Sequence, residues 1–273
     1  MDNGNDIGGT SAATGNTITN WGGNSTALSG YVSVTASSFC IQMNHQVSDN
    51  VSYNTINSAT VTGATFVFGG VLKNFSAGQP SGTITSVISN NTITLSSSNL
   101  SGQMQGINSG NITPALSTAT ISITNNTLLN CSLSGVATSS SFFGIVHSSI
   151  VGILNITDNV VRSTTSTATT GSFLGISNTG AVVSTINITN NQIGNSAGGA
   201  ITFSATTTGG ITGIQNSGGA ATTTVNLNNN SVEGISAVSS VGQLQGITNT
   251  GNAGVAININ NNALGSATAN FAN

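Results

Sequence analysis

The chain has 273 residues, of which 37% are apolar and only 3% charged, for a formal net charge of −3. Two Lys/Arg residues cannot neutralise a phosphate backbone or form a basic patch, which argues against nucleic acid and anionic membrane as partners. No apolar run reaches the length of a transmembrane helix, so membrane insertion is not expected either.

In chain order, residues 1–50 are the least regular. Met1 is followed by Asp2, Asn3 and Gly4 rather than by a signal peptide, and this is read as a start inside a longer, secreted protein. GNTIT at 15–19 is a partial copy of a unit that becomes regular from residue 51. The unit is an Asn-Asn step flanked by alternating Ile and Thr: VSYNTI at 51–56, ISNNTI at 88–93, ITNNTL at 123–128, ITDNVV at 156–161, ITNNQI at 188–193, LNNNSV at 227–232 and INNNAL at 259–264. The second Asn of each step (Asn54, Asn91, Asn126, Asn159, Asn191, Asn230, Asn262) recurs at intervals of 37, 35, 33, 32, 39 and 32 residues. A second element runs in phase: FGGV at 68–71, MQGI at 104–107, FFGI at 142–145, FLGI at 173–176, ITGI at 211–214 and LQGI at 244–247. Three copies then continue into Asn178-Thr179-Gly180, Asn216-Ser217-Gly218 and Asn249-Thr250-Gly251, read as tight turns because Asn and Gly tolerate positive φ.

Both elements alternate with period two and are rich in β-branched residues, as strands are; nothing runs at the helical period. Short strands, Asn/Gly turns and a long fixed period predict an all-β chain in which each repeat of roughly 35 residues is one coil of a solenoid. Seven or eight coils at about 4.8 Å give a stack of roughly 35–40 Å. One domain over 1–273 is expected, with 1–50 as degenerate first coils, 51–265 as regular repeats and 266–273 as a tail. Phe66, Phe68, Phe142, Phe143, Phe173 and Phe203 are candidates for the core, although alternation must turn one of Phe142 and Phe143 outward. Stacking sets the seven marker amides above one another at the bend between strands, so each side chain can donate to its neighbour's carbonyl in a structural ladder.

The Ile-Thr-Asn-Asn-x-Ile copies resemble the repeats of right-handed parallel β-helix proteins, the architecture of pectate lyases and related polysaccharide enzymes. The Gly-Ile-x-Asn-Thr-Gly copies and the Asn/Thr/Gly bias resemble more closely the long "beta strand repeat" proteins of bacterial surfaces. The resemblance covers 51–265 and implies right-handed coiling and an extracellular, cell-surface location. It does not imply an activity, because β-helices host enzymes, adhesins and spikes alike.

A polysaccharide lyase or hydrolase needs clustered carboxylates, often with Ca²⁺, or a carboxylate beside Arg or Lys. The five acids are scattered: Asp2 and Asp6 in the N-terminal stretch, Asp49 in the degenerate first coil, Asp158 at the first position of an Asn-Asn step, and Glu233 three residues after a marker. Arg162 falls on the same turn line as Glu233, with Gly194 between, about 10 Å and two coils away. Lys73 and His147 take the position held elsewhere by Asn178, Asn216 and Asn249, read as an exposed turn. His45 near Asp49 lacks a third metal ligand. No catalytic residue, metal site or cofactor is expected, and Cys40 and Cys131, in different phases of the repeat, read as two buried free thiols. Sequons such as Asn24, Asn74, Asn99 and Asn111 follow from composition.

What remains is the outward face of the strand before each marker. Two residues before it stand Ser89, Thr124, Thr157, Thr189, Asn228 and Asn260. Four before stand Ser122, Asn155, Asn187, Asn226 and Asn258, and six before stand Thr85, Thr120, Thr185 and Thr224. Val87, Ile153 and Ala256 interrupt these columns. The grid is uncharged and hydrogen-bonding. It suits a non-enzymatic structural or adhesive rod that stacks end to end or contacts a surface or glycan. Ice is the alternative partner, since ice-binding solenoids carry ranked Thr arrays; a carbohydrate-active β-helix is the third reading.

Overall fold

In a computed structural model, residues 4–22, 37–44, 48–62, 67–74, 84–98, 101–110, 116–134, 139–195, 199–237 and 242–265 are described. Among them are strands and turns and no helix, and every strand pairing is parallel. The strands form three sheets that run the length of a β-solenoid of about six turns, roughly 35 residues per turn. This is fewer than the seven or eight coils expected.

The first sheet has eight strands, from Asp6–Gly8 through Asn50–Ser52, Thr85–Ser89, Leu116–Thr124, Val151–Thr157, Thr185–Thr189 and Thr224–Asn228 to Ala256–Asn258. The third has seven, from Ser38–Asn44 to Leu244–Asn249, and carries the Gly-Ile element. Between them, the twelve-stranded second sheet starts at Thr17–Trp21, which pairs with the long strand Thr55–Thr62 and through it with Thr92–Ser98. It then splits into two ranks of short strands, one beginning at Thr127–Leu129 and the other at Ser132–Ser134.

Each coil turns from the first sheet into the second at the Asn-Asn step. Its first residue sits in the left-handed region in every copy: Asn90, Asn125, Asn190, Asn229 and Asn261, with Asp158 and Tyr53 as variants, all at φ of 56–60°. Asn and Asp reach this conformation more cheaply than other non-glycine residues, because their short polar side chains bond locally. The step thus divides its labour. The first residue bends the chain and the second is delivered to the interior.

The core is a set of stacked apolar columns. Ile121, Leu154, Ile186 and Val225 pair in succession along the first sheet, and Phe68, Met104, Phe142, Phe173 and Ile211 along the third, all at most 1% exposed. Phe142 and Phe173 stack with centroids 5.6 Å apart, and Phe203 meets Phe173 edge-on at 5.8 Å. Of the adjacent pair, Phe142 is inside and Phe143 half-exposed; Phe66 lies outside the described residues. The Gly of each Gly-Ile element is required by close approach. A Cβ at Gly106 would stand 2.1 Å from Leu128 Cδ2 of the second sheet, and one at Gly144 2.4 Å from the carbonyl oxygen of Gly175. With no side chain there, Gly and the following Ile both lie inside, and the alternation of the strand changes phase at that point.

Candidate binding surface and the buried polar columns

The seven marker amides form one continuous ladder. Nδ2 donates to the next Oδ1 at 2.9 Å from Asn54 to Asn91 and from Asn91 to Asn126, then at 3.0, 3.1, 3.0 and 3.1 Å through Asn159, Asn191 and Asn230 to Asn262. Each Oδ1 also accepts the backbone N–H of the previous marker, as from Asn126 to Asn159 at 3.0 Å. Each Nδ2 spends its second hydrogen on a main-chain carbonyl of the coil before, as from Asn159 to Ile123 at 2.8 Å. Asn16 joins at the start, donating to Asn54 Oδ1 at 3.0 Å. Asn54 to Asn230 are at most 1% exposed. A buried amide with both hydrogens and its oxygen engaged escapes the cost of unmet polar groups, and a carboxylate here could donate nothing.

A second buried polar column lies where the sequence suggests exposed turns. The residues in register along the third sheet are Met43, Lys73, Ser109, His147, Asn178, Asn216 and Asn249. Lys73, Ser109, His147, Asn178 and Asn216 are 0% exposed, so Lys73 and His147 are interior residues and not exposed turn positions. Asn178, Asn216 and Asn249 do not adopt positive φ; they form a short ladder with Nδ2–Oδ1 distances of 2.7 Å. The Gly two residues on is needed for space: a Cβ at Gly180 would meet Ser149 O at 2.2 Å. The missed signal was the alternation itself. Counted from Ile145 rather than across Gly144, it puts Val146 outward and His147 inward.

His147 precedes this ladder without joining it, with Nδ1 3.3 Å from Ser109 Oγ, its neighbour in the column, and Nε2 3.1 Å from the Ser149 carbonyl. Burial drives its pKa down to about 4, and the two hydrogen bonds only partly oppose the shift. Lys73 places Nζ 2.5 Å from Asp49 Oδ2, with both side chains buried. Burial lowers the Lys73 pKa, while the Asp49 charge and hydrogen bond work the other way.

The remaining charged groups stay apart. Asp158 is exposed at its turn, and Arg162 and Glu233 are half-exposed on the second sheet without an ion pair among the described residues. No trio of His, Cys, Asp or Glu that could hold a metal occurs among the described residues. His45, Asp2, the sequons at Asn24, Asn99 and Asn111 and the tail 266–273 lie outside them. Cys131 is buried and Cys40 only half-buried; both are free thiols whose pKa burial raises, to about 12 and about 11.

The outward grid lies on the first sheet in the register the repeats imply. Thr85, Thr120, Ile153, Thr185, Thr224 and Ala256 form one column, and Ser89, Thr124, Thr157, Thr189 and Asn228 another. Thr85 is exposed; Thr120, Thr124, Thr157, Thr185, Thr189 and Thr224 are half-buried between their neighbours, and Ser89, expected to face outward, is buried against the Ser52 hydroxyl. The column between them is a third amide ladder. Asn187 donates to Asn155, Asn226 to Asn187 and Asn258 to Asn226, each at 2.8 Å. One hydrogen and one lone pair per amide are used along the axis, which leaves one of each for water or a ligand. No protein-family model, no characterised protein and no solved structure matches the chain.

Proposed function

We propose that the chain is a non-enzymatic rod of an extracellular bacterial surface protein of the long Asn/Thr/Gly-rich repeat type. It presents one side as an uncharged lattice of hydroxyls and amides to a glycan or other polar surface. The observation that carries this reading is the first sheet's outward face, where Asn155, Asn187, Asn226 and Asn258 hold one another in fixed orientation between columns of Thr. Side chains already ordered by mutual hydrogen bonds lose little entropy when a partner docks. The scattered carboxylates speak for a non-catalytic role, since among the described residues no two stand together with a base or a cation at a surface.

End-to-end association of copies is part of the reading. In the last described coil Val255, Ile257, Ile259 and Leu264 are 66%, 49%, 48% and 56% exposed. Val225 and Val232, the register partners of Ile257 and Leu264 one coil earlier, are 0% exposed. The last described coil therefore presents apolar core positions that a further coil or a second copy can cover.

The test is a panel on the purified chain. Retention on insoluble polysaccharide, weakened by Asn187→Lys and Asn226→Lys, supports the adhesive face. Faceted ice and thermal hysteresis would replace it with ice binding, and new reducing ends or unsaturated products would replace it with catalysis. For association, light scattering and negative-stain images should show linear assemblies that Ile257→Lys with Leu264→Lys reduces to monomers.

A further inference from the structure

The Lys73–Asp49 pair is the one ion pair among the described residues, and it is sealed: the side chains are 0% and 2% exposed. It lies where the third sheet hands over to the first. Lys73 is on the inward side of strand Phe68–Asn74, and Asp49 immediately precedes strand Asn50–Ser52. Its coil neighbours along the column are Met43 and Ser109, neither of which carries charge. Two further polar atoms there are buried without partners, Asp49 Oδ1 and Ser86 Oγ. Ser86 is one coil on from Asp49, just before Val87, which pairs with Asn50 and donates its N–H to the Asp49 carbonyl.

Taking two ions out of water costs several kcal/mol each, and attraction alone does not reliably repay it. Passing one proton across the 2.5 Å contact gives a neutral amine facing a carboxylic acid, which an apolar interior tolerates better. An amine held against a carboxyl group by the fold has a large effective concentration.

We propose that Lys73 and Asp49 condense into an intramolecular isopeptide bond once the coil has closed. The Nζ lone pair attacks Asp49 Cγ, the Nζ–Cγ bond forms, and the carbonyl electron pair moves onto Oδ1. Ser86, one coil on, has a buried hydroxyl without a partner; it makes no hydrogen bond to Oδ1 before the reaction and would have to turn toward it to donate. The carbonyl then reforms and the Cγ–Oδ2 bond breaks. Of the three ammonium protons, one stays on the amide nitrogen and two leave with Oδ2 as water. Nothing is oxidised or reduced, and no cofactor or nucleotide is needed. The product replaces two buried ions with one neutral amide and closes the 24-residue separation between Asp49 and Lys73, which runs through a strand of each sheet, into a covalent ring. This covalent staple sits in the less regular N-terminal part of the described stack. It is independent of what the outward grid binds.

The chain is suited to the test, because Lys73 and Arg162 are its only tryptic sites. The intact mass of the purified full chain should be lower than its sequence mass by one water. Trypsin on the denatured protein should yield two products, 1–162 and 163–273, since an acylated Lys73 is not cleaved, and fragmentation should place the lost water between Asp49 and Lys73. Lys73→Met and Asp49→Ala should each show their full sequence mass; Met43 in the same column shows that Met fits there. A full sequence mass with three tryptic products, or a lost water located at another residue, would overturn the proposal.

Discussion

Two buried polar columns run the length of the solenoid, and they are built differently. The column at the turn is Asn in every copy from Asn54 to Asn262. Each amide is satisfied by its neighbours and by the main chain of the coil before. The third-sheet column changes identity from Met43 to Lys73, Ser109, His147 and three Asn residues. A uniform column of amides is self-sufficient at any length, because each is donor and acceptor to the same two neighbours. A mixed column is not. Every member that cannot continue the ladder needs a partner elsewhere, and Lys73 finds Asp49 while His147 finds the Ser149 carbonyl.

The largest effect that would sharpen this contrast comes from the mixed column. Lys73→Met should destabilise by about 3–5 kcal/mol, read from the urea midpoint, because it strands the Asp49 carboxylate in the interior. Replacing both residues, as Lys73→Met with Asp49→Leu, should recover most of that loss if the pair is merely ionic, and should stay well below the parent if the ring is covalent.

Breaking the uniform column in its middle comes next. Asn159→Ala removes the acceptor of the Asn126 N–H and Nδ2 and the donor to Asn191 and Ile123. A loss of roughly 2–4 kcal/mol in the same unfolding experiment is expected for that many unmet buried groups. A loss below 1 kcal/mol, the size of one ordinary exposed hydrogen bond, would mean that the ladder is dispensable.

The third effect is a pH dependence confined to the mixed column. His147 is held neutral, with its folded pKa near 4 against an ordinary value of 6.5. The unfolded chain therefore binds the extra proton first. Stability is full above pH 6.5 and falls as the pH drops toward 4, by up to roughly 3 kcal/mol from this group. His147→Asn, which extends the neighbouring ladder by one amide, should flatten the curve in that window. An unchanged slope would place the titration elsewhere. The smallest effect belongs to the outward ladder: Asn187→Ala should cost about 0.5–1 kcal/mol, because water can replace the lost bonds.

The contrast also shows why one column was legible and the other was not. The turn column was visible because bending the chain demands a residue tolerant of positive φ beside an amide that can ladder, and both demands fall on adjacent letters in every coil. The third-sheet column was obscured by the glycine before it. Gly144 and Ile145 both face inward, so a strand read as strictly alternating assigns His147 to the wrong side. The Lys73–Asp49 contact was hidden further, since it joins residues of different sheets whose meeting depends on the corner between them. The outward grid was laid out correctly by the repeat, but its middle column reads as a row of free amides until the side chains are seen to be bonded along the axis.

Periodicity, strand alternation and near absence of charge determine the all-β solenoid, its register and the Asn turn ladder, because these properties repeat with every coil and are enforced by stacking. Which side a residue faces after a glycine, and which lone charged groups meet inside, belong to the tertiary structure. They depend on close approach between sheets, a distance that no single strand encodes.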